Sequence, residues 1–380
     1  MMQLLYKYFL FLFLLIVLCM SQWYVPLLQR QIPALEAPDL GGSFEAAPGA
    51  RLSARNWMSG YYQKASEQHL KQESAIAPFF VRLRNEWIYQ LFGEVPSALV
   101  AKGQDGFFYS TTYCDAFIGK DEIPQTRLEQ LSNQLQFIQQ ALEAKGKSLL
   151  VILPPSKPRV LPEHLPAFYQ KNGSKSSNYD RFRFLLFDKK VPTQDFSFFF
   201  SQKAPYPIYP QYGLHWSYYG AAWAADSIRH QIGQLLSVQL PEMQWRDSIA
   251  LSTDLRSTDR ELLYGANLWK DPEVRPMPYP TIRYEQIDSI HTPPKVLAVG
   301  DSYYKLLYDY GIPQGLFHPA SRFWYYYNTS IPAGEVAPRA ENIEEVINRF
   351  DIILLPHAEI NIEKMGFGFL DALEQALKQE

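Results

Sequence analysis

Three short apolar runs constrain this 380-residue chain more than any other feature: SLLVIL from Ser148, KVLAVG from Lys295 and FDIILLP from Phe350. Runs this short, bounded by Gly or Pro, read as strands buried on both faces of a sheet. Helical patterns lie between and after them. One runs from about Pro124 to Lys145 and stops at Gly146. Another starts near His215 in HWSYYGAAWAADSIRHQI, and a last one runs from about Gly368 to the end. Strands alternating with helices define an α/β protein. KGQDGFFYS from Lys102 reads as a turn feeding a short aromatic strand. At 47% hydrophobic residues the chain is long enough for one large α/β domain with extensions. The pattern does not fix the strand order.

The start of the chain differs in kind. After Lys7 comes YFLFLFLLIVLCMSQWYVPLL, and no charge follows until Arg30. The run is nearly bilayer length, with Trp23 and Tyr24 placed like interfacial aromatics. We read residues 1–30 as a signal-anchor that leaves the rest of the chain beyond the membrane; the alternative is a cleaved signal. Leu18 before Cys19 argues against a lipoprotein site. Residues 31–52, rich in Pro, Gly and Ala, read as a linker. Residues 53–380 form the main domain, opening with a helical region from about Ser53 to Leu91 that Pro78 interrupts.

Composition excludes several functions. The net charge of −3 comes with no basic block, which argues against nucleic acid. Cys19 and Cys114 are the only cysteines, and His, Asp and Glu show no ligand spacing, so no metal site is expected. No glycine-rich dinucleotide fingerprint or P-loop occurs, and no cofactor is expected.

The candidate chemistry lies in KVLAVGDSYY. A strand, then Gly300, Asp301 and Ser302, then a helical pattern puts Ser302 at the carboxyl end of a sheet strand, where α/β ligand sites form. Ser302 is either a nucleophile or, with Asp301, a helix cap. Gly300 permits a tight turn or close approach, and N–H groups opening the helix suit an oxyanion. His215, before a helix and beside Trp216, is the leading base, since imidazole titrates near neutrality; the plainer reading is a structural histidine. His357, after a strand, is the reserve.

Four segments, VGDSYY, GLHWSYYGA, VILPPSKPRVLPEHLP and LFGEVPSALVAKGQDGFFYS, together resemble the AlgJ/AlgX family of alginate O-acetylation proteins, within the SGNH (GDSL-like) esterases and acyltransferases. The resemblance spans about Tyr61 to Leu370. It implies a three-layer SGNH-like domain with a central, mostly parallel sheet, here preceded by the anchor and helical region. It also implies an exported protein, a polysaccharide substrate and a membrane-bound O-acyltransferase partner that delivers acetyl groups; with the anchor at residues 1–30 the expected placement is the bacterial inner membrane, single-pass, with the domain outside the cytoplasm, or secretion if the signal is cleaved. Ser302 falls at the family's nucleophile and His215 at its base, with Gly300 and the Ser302 amide near the oxyanion.

One position departs from the family pattern. Its members usually carry an acid two residues before the histidine, and here that residue is Gly213; Tyr212 occupies the position three before. A triad acid fixes the histidine tautomer and stabilises its cation. Either His215 and Ser302 work as a dyad, or a distant carboxylate serves, with Asp254, Asp259 and Glu359 as candidates. Arg322 and Asn361 are candidates for substrate contact. The expected activity is O-acetyl transfer to an extracellular polysaccharide through an acetyl-serine. The alternatives are an accessory protein of an acetylation complex or a carbohydrate acetyl esterase.

Overall fold

The computed structural model describes residues 51–379 apart from 74–76, 174–175, 202–203, 286–291 and 335, together with residues 11–13, 16, 20, 27, 28, 30–32, 40 and 41. The chain forms two compact units. One takes Met1–Val100 and Leu263–Glu273; the other takes Ala101–Leu262 and Val274–Glu380.

The larger unit is built on a six-stranded mixed sheet. Its strands are β1 (Ser148–Leu153), β2 (Thr193–Asp195), β3 (Val296–Gly300), β4 (Arg322–Tyr325), β5 (Thr329–Ile331) and β6 (Ile352–Pro356), in the order β5-β4-β3-β6-β1-β2. All neighbours pair in parallel except β5, which returns antiparallel to β4. The last strand in sequence, β6, therefore sits between β3 and β1.

The three apolar runs are β1, β3 and β6, and their side chains alternate between two cores. Leu150, Ile152, Val296, Ala298, Ile352 and Leu354 face one core with α3 (Tyr218–Leu236) and α5 (Ser302–Asp309). Leu149, Val151, Leu297, Val299, Ile353 and Leu355 face the other with α1 (Gln125–Ala144), α2 (Asn178–Asp188) and α6 (Phe369–Gln379). Burial on both sides explains why these strands lack polar alternation. Each fully buried Val, Leu or Ile contributes about 1.5–3 kcal/mol. Gly146, at φ +68°, ends α1, and the next N–H, on Lys147, bonds back to Leu142 O at 2.9 Å. A short helix, α4 (Glu261–Ala266), completes the set that positions the site.

The smaller unit contains the helices Ala54–Met58, Tyr61–Glu73 and Ala77–Phe92. Pro78 is the second residue of the last of these, where its missing N–H costs no helical bond. Within this unit Arg82 Nη1 donates to Leu268 O at 2.8 Å and Asn85 Nδ2 to Ala266 O at 3.0 Å.

The anchor is corrected. A span needs about 20 consecutive apolar helical residues, and among the described residues no helix is long and apolar enough to cross a membrane. The longest described helices, α1 and α3, are interrupted by charges such as Arg127, Glu129, Asp226 and Arg229. The single-pass inner-membrane placement and membrane contact drawn from residues 1–30 are withdrawn with it. Most of residues 1–30, and most of the linker at 31–52, lie outside the described residues.

Candidate active site

The site forms where β3 and β6 end side by side. The Asp301 side chain caps α5, accepting from Tyr303 N–H at 3.1 Å. Ser302 is the first helical residue, and its hydroxyl is not used for capping. The other Asp301 oxygen accepts from Ala358 N–H at 2.7 Å and from Asn361 Nδ2 at 2.8 Å. This fully buried carboxylate thus ties the turn after β3 to the turn after β6. Gly300 is required by packing: a Cβ there would stand 2.3 Å from Pro356 O.

His215 lies just ahead of α3, whose first turn is capped by Ser217 accepting from Gly220 N–H at 3.0 Å. Its Nε2 is 2.7 Å from Ser302 Oγ. Its Nδ1 is 2.9 Å from Glu261 Oε2 and 3.1 Å from Oε1. A carboxylate only accepts, so Nδ1 carries the proton and Nε2 offers a lone pair to the serine hydroxyl. Leu214 N–H also donates to Glu261 Oε2, at 3.3 Å. His215 is 5% exposed, while the Glu261 side chain is 31% exposed.

Glu261 stands behind His215 in place of an acid at position 213. A Cβ on Gly213 would meet Pro210 Cγ at 2.2 Å, Thr258 O at 2.5 Å and Asp259 Cα at 3.2 Å. The chain leading into α4 fills the room an acid at 213 would need, and the same stretch delivers Glu261.

Lys157 fixes the loop in front of His215. The residue is 2% exposed, and its Nζ donates to Phe108 O, Gln211 O and Gly213 O at 2.6, 2.9 and 3.1 Å. Burial pushes its pKa well down, and the three carbonyls satisfy its three donors.

Tyr326 completes the surroundings of the serine. It lies in the β4–β5 turn, where Tyr326 and Tyr327 hold φ +51° and +52°. Two left-handed central residues make a hairpin turn that normally selects Asn and Gly, and bulky residues rarely occupy that region. Tyr326 N–H donates to Gly300 O at 2.9 Å. Burial raises the pKa of its phenol, the Asp301 charge raises it further, and the neighbouring Ser302 side chain lowers it.

The remaining sequence candidates lie elsewhere. Asp254 is exposed on a loop. Asp259 is fully buried and accepts from the Tyr279 hydroxyl at 2.7 Å. Glu359 accepts from Ser156 Oγ at 2.8 Å and Arg159 Nε at 3.3 Å. Arg322 opens β4, far along the strand from the serine-bearing end, and donates to Ser321 O at 2.9 Å. Asn361 is occupied by Asp301. His357 is buried, and its Nε2 accepts from Gly366 N–H at 2.9 Å. Glu261, Lys157 and Tyr326 were not anticipated. Glu261 is 46 residues from His215 with no motif joining them, while Lys157 stands inside a quoted motif and its burial was the missing signal.

Asp259 yields a pH prediction. Burial pushes its carboxyl up to about 7, against about 3.9 in an unfolded chain. Between those values the folded state holds the extra proton, so this group's contribution is full below about pH 4 and declines as pH rises towards 7. Asp259→Asn should flatten that part of the stability profile in urea unfolding from pH 4 to 8. Equal slopes in both proteins would remove Asp259 as the source.

A mostly parallel sheet with a serine at the carboxyl end of one strand, in a hydrogen-bonded row with a histidine and a carboxylate, is in keeping with an SGNH-hydrolase-like protein. Residues 100–314, more than half of the chain, match the family described as the SGNH hydrolase-like domain of the acetyltransferase AlgX, and the chain belongs to that family. Among solved structures it is similar to the O-acetyltransferase domain of Pseudomonas putida AlgJ, at 16% identity, TM-score 0.46, covering 73% of this chain and 99% of that one. It is also similar to Pseudomonas aeruginosa AlgX (14%, TM-score 0.48, covering 72% and 67%) and Bacillus cereus PatB1 (13%, TM-score 0.46, covering 71% and 99%). No curated protein matches by sequence.

Proposed function

We propose that the protein is an O-acetyltransferase acting on a polysaccharide, with Ser302 as the acetyl carrier. Family membership alone serves an accessory protein of polysaccharide acetylation, or a carbohydrate acetyl esterase, at least as well. The observation that favours an acyl carrier is the continuous row Ser302–His215–Glu261, with 2.7 and 2.9 Å links.

In the first half-reaction His215 Nε2 takes the Ser302 proton as Oγ bonds to the acetyl carbon of an ester donor. The Ser302 N–H and the Tyr326 hydroxyl are the donors available to the oxyanion. The donor C–O bond breaks, and the His215 proton passes to the departing alkoxide. In the second, a sugar hydroxyl gives its proton to His215 and attacks the acetyl-serine; that proton returns to Ser302 Oγ as it leaves. Water in place of the sugar gives the esterase reaction.

Mass spectrometry after exposure to an activated aryl acetate tests the carrier. Acetylation should map to Ser302 and vanish in Ser302→Ala and His215→Ala. An unmodified wild-type protein would favour the accessory role, and added oligosaccharide separates transfer from hydrolysis through the appearance of acetylated sugar.

A further inference from the structure

The loop that carries His215, residues 204–217, contains no helix or strand. Buried backbone groups that lack a ladder must be satisfied one at a time. From 211 to 214 each carbonyl is held from outside the loop. Gln211 O accepts from Phe108 N–H at 3.0 Å and from Lys157 Nζ at 2.9 Å. Tyr212 O accepts from Leu262 N–H at 2.9 Å, Gly213 O from Lys157 Nζ at 3.1 Å and Leu214 O from the Tyr303 hydroxyl at 3.4 Å. Of these donors Lys157 alone holds two of the four, and its third bond, to Phe108 O, ties in the short strand Phe108–Ser110.

Lys157 stands on a fixed base. It opens the short helix Lys157–Val160, just beyond β1. The residues flanking it grip one buried carboxylate: Ser156 Oγ donates to Glu359 Oε1 at 2.8 Å and Arg159 Nε to Glu359 Oε2 at 3.3 Å. Arg159 Nη1 also reaches Asp180 Oδ1, in α2, at 3.1 Å. Glu359 follows Ala358, whose N–H donates to Asp301, the residue before Ser302. Buried polar links therefore run from the turn that holds the serine, through the turn after β6 and the end of β1, to the loop that holds the histidine. The 2.7 Å contact between His215 and Ser302 closes the circuit.

The charge on Lys157 is part of this arrangement. A neutral amine has two N–H groups, so holding three carbonyls takes the ammonium. The Phe107 and Tyr109 rings, with centres 5.4 and 5.0 Å from Nζ, enclose it and add a favourable contact for a cation. Burying an ammonium is costly unless it is fully bonded, and a side chain that merely filled this space would be apolar. The return is precision at His215, two residues from Gly213, where a shift of about 1 Å costs on the order of 10²-fold in rate.

We propose that Lys157 is a positioning residue for the acyl-transfer site: its ammonium pins the 211–214 loop to the sheet edge and so sets the reach of His215 Nε2 to Ser302 Oγ. The proposal rests on the acyl-carrier reading for its catalytic meaning, but the placement of His215 has a readout of its own. The proton between His215 Nδ1 and Glu261 should give a downfield NMR resonance, assigned by its loss in Glu261→Gln and His215→Ala. Folded Lys157→Met should lose that resonance or shift it upfield. It should also acetylate Ser302 about 10²-fold more slowly from the aryl acetate, with KM within about threefold of wild type. A folded variant that keeps the resonance, or a rate within about threefold of wild type, overturns the proposal. Should Lys157→Met not fold, the wild-type protein decides. Raising the pH until the isotope-labelled Lys157 ammonium signal is lost should move the His215 resonance in the same step. Of the titratable groups facing the ammonium, Lys157 changes first: burial lowers its pKa, pushes the Cys114 thiol up to about 12 and raises the Tyr109 phenol further, while Glu261 stays a carboxylate. A His215 resonance unmoved through that step overturns the proposal. A wild-type Ser302 that takes no acetyl, with the resonance behaving as stated, would instead overturn only the acyl-carrier reading.

Discussion

Glu261→Gln should slow acetylation of Ser302 by about 10²–10³-fold while leaving the protein folded. The amide keeps the shape of the side chain but loses the charge that stabilises an imidazolium at His215, and its NH₂ can set the wrong tautomer. Removing a fully buried triad acid costs about 10⁴-fold. The smaller figure follows from exposure: at 31% accessible, Glu261 acts partly through water, which screens its charge. The loss should fall on the rate and not on affinity for donor or acceptor, because Glu261 touches His215 and Leu214 and lies behind the serine. Glu261→Asp should recover part of the rate. Burst kinetics with an aryl acetate read both. A rate within about threefold of wild type in Glu261→Gln would mean that His215 and Ser302 act as a dyad.

Restoring the acid at the family's usual position should do harm. Gly213→Asp would place a Cβ 2.2 Å from Pro210 Cγ and 2.5 Å from Thr258 O. The second contact is with backbone, which has no rotamer to change. We expect a loss of about 2–4 kcal/mol, at or above the usual range for overpacking. Gly213→Ala should share most of it, because the clash begins at Cβ. Relief requires the 258–261 stretch to move, and Glu261 moves with it, so acetylation should fall as well. Denaturant unfolding and the acetylation rate of the two variants check this together. A Gly213→Asp protein as stable as wild type, with equal or higher activity, would show that the site tolerates an acid in either place.

These two residues show where sequence reading succeeded and stopped. β1, β3 and β6 were legible because strands buried on both faces leave unbroken apolar runs. Their order was not, because β6, last in the chain, enters between β3 and β1, and nothing local encodes that. Ser302 and His215 each follow a short-range pattern, a strand-to-helix turn and a residue just before a helix. Glu261 has no such marker among 39 acidic residues. Asp259, two positions away, was named instead, yet the chain turns between them: one side chain is buried against Tyr279 and the other faces His215. Tyr326 escaped notice because tyrosines at φ +51° and +52° run against turn preferences. The apolar start was read by length and composition alone, which do not specify a spanning helix.

Glu261 also stands at a junction in the chain. One residue beyond it, after Leu262, the polypeptide leaves the serine-bearing unit and spends eleven residues, Leu263–Glu273, completing the other. That excursion is held by Arg82, Asn85 and Glu86, the last accepting from Trp269 N–H at 3.1 Å. Trimming the protein to its sheet would keep every residue of the Ser302–His215–Glu261 row yet strip the moorings from the segment that follows the acid. The segment that follows the acid is thus secured by helices that lie far from it in the sequence.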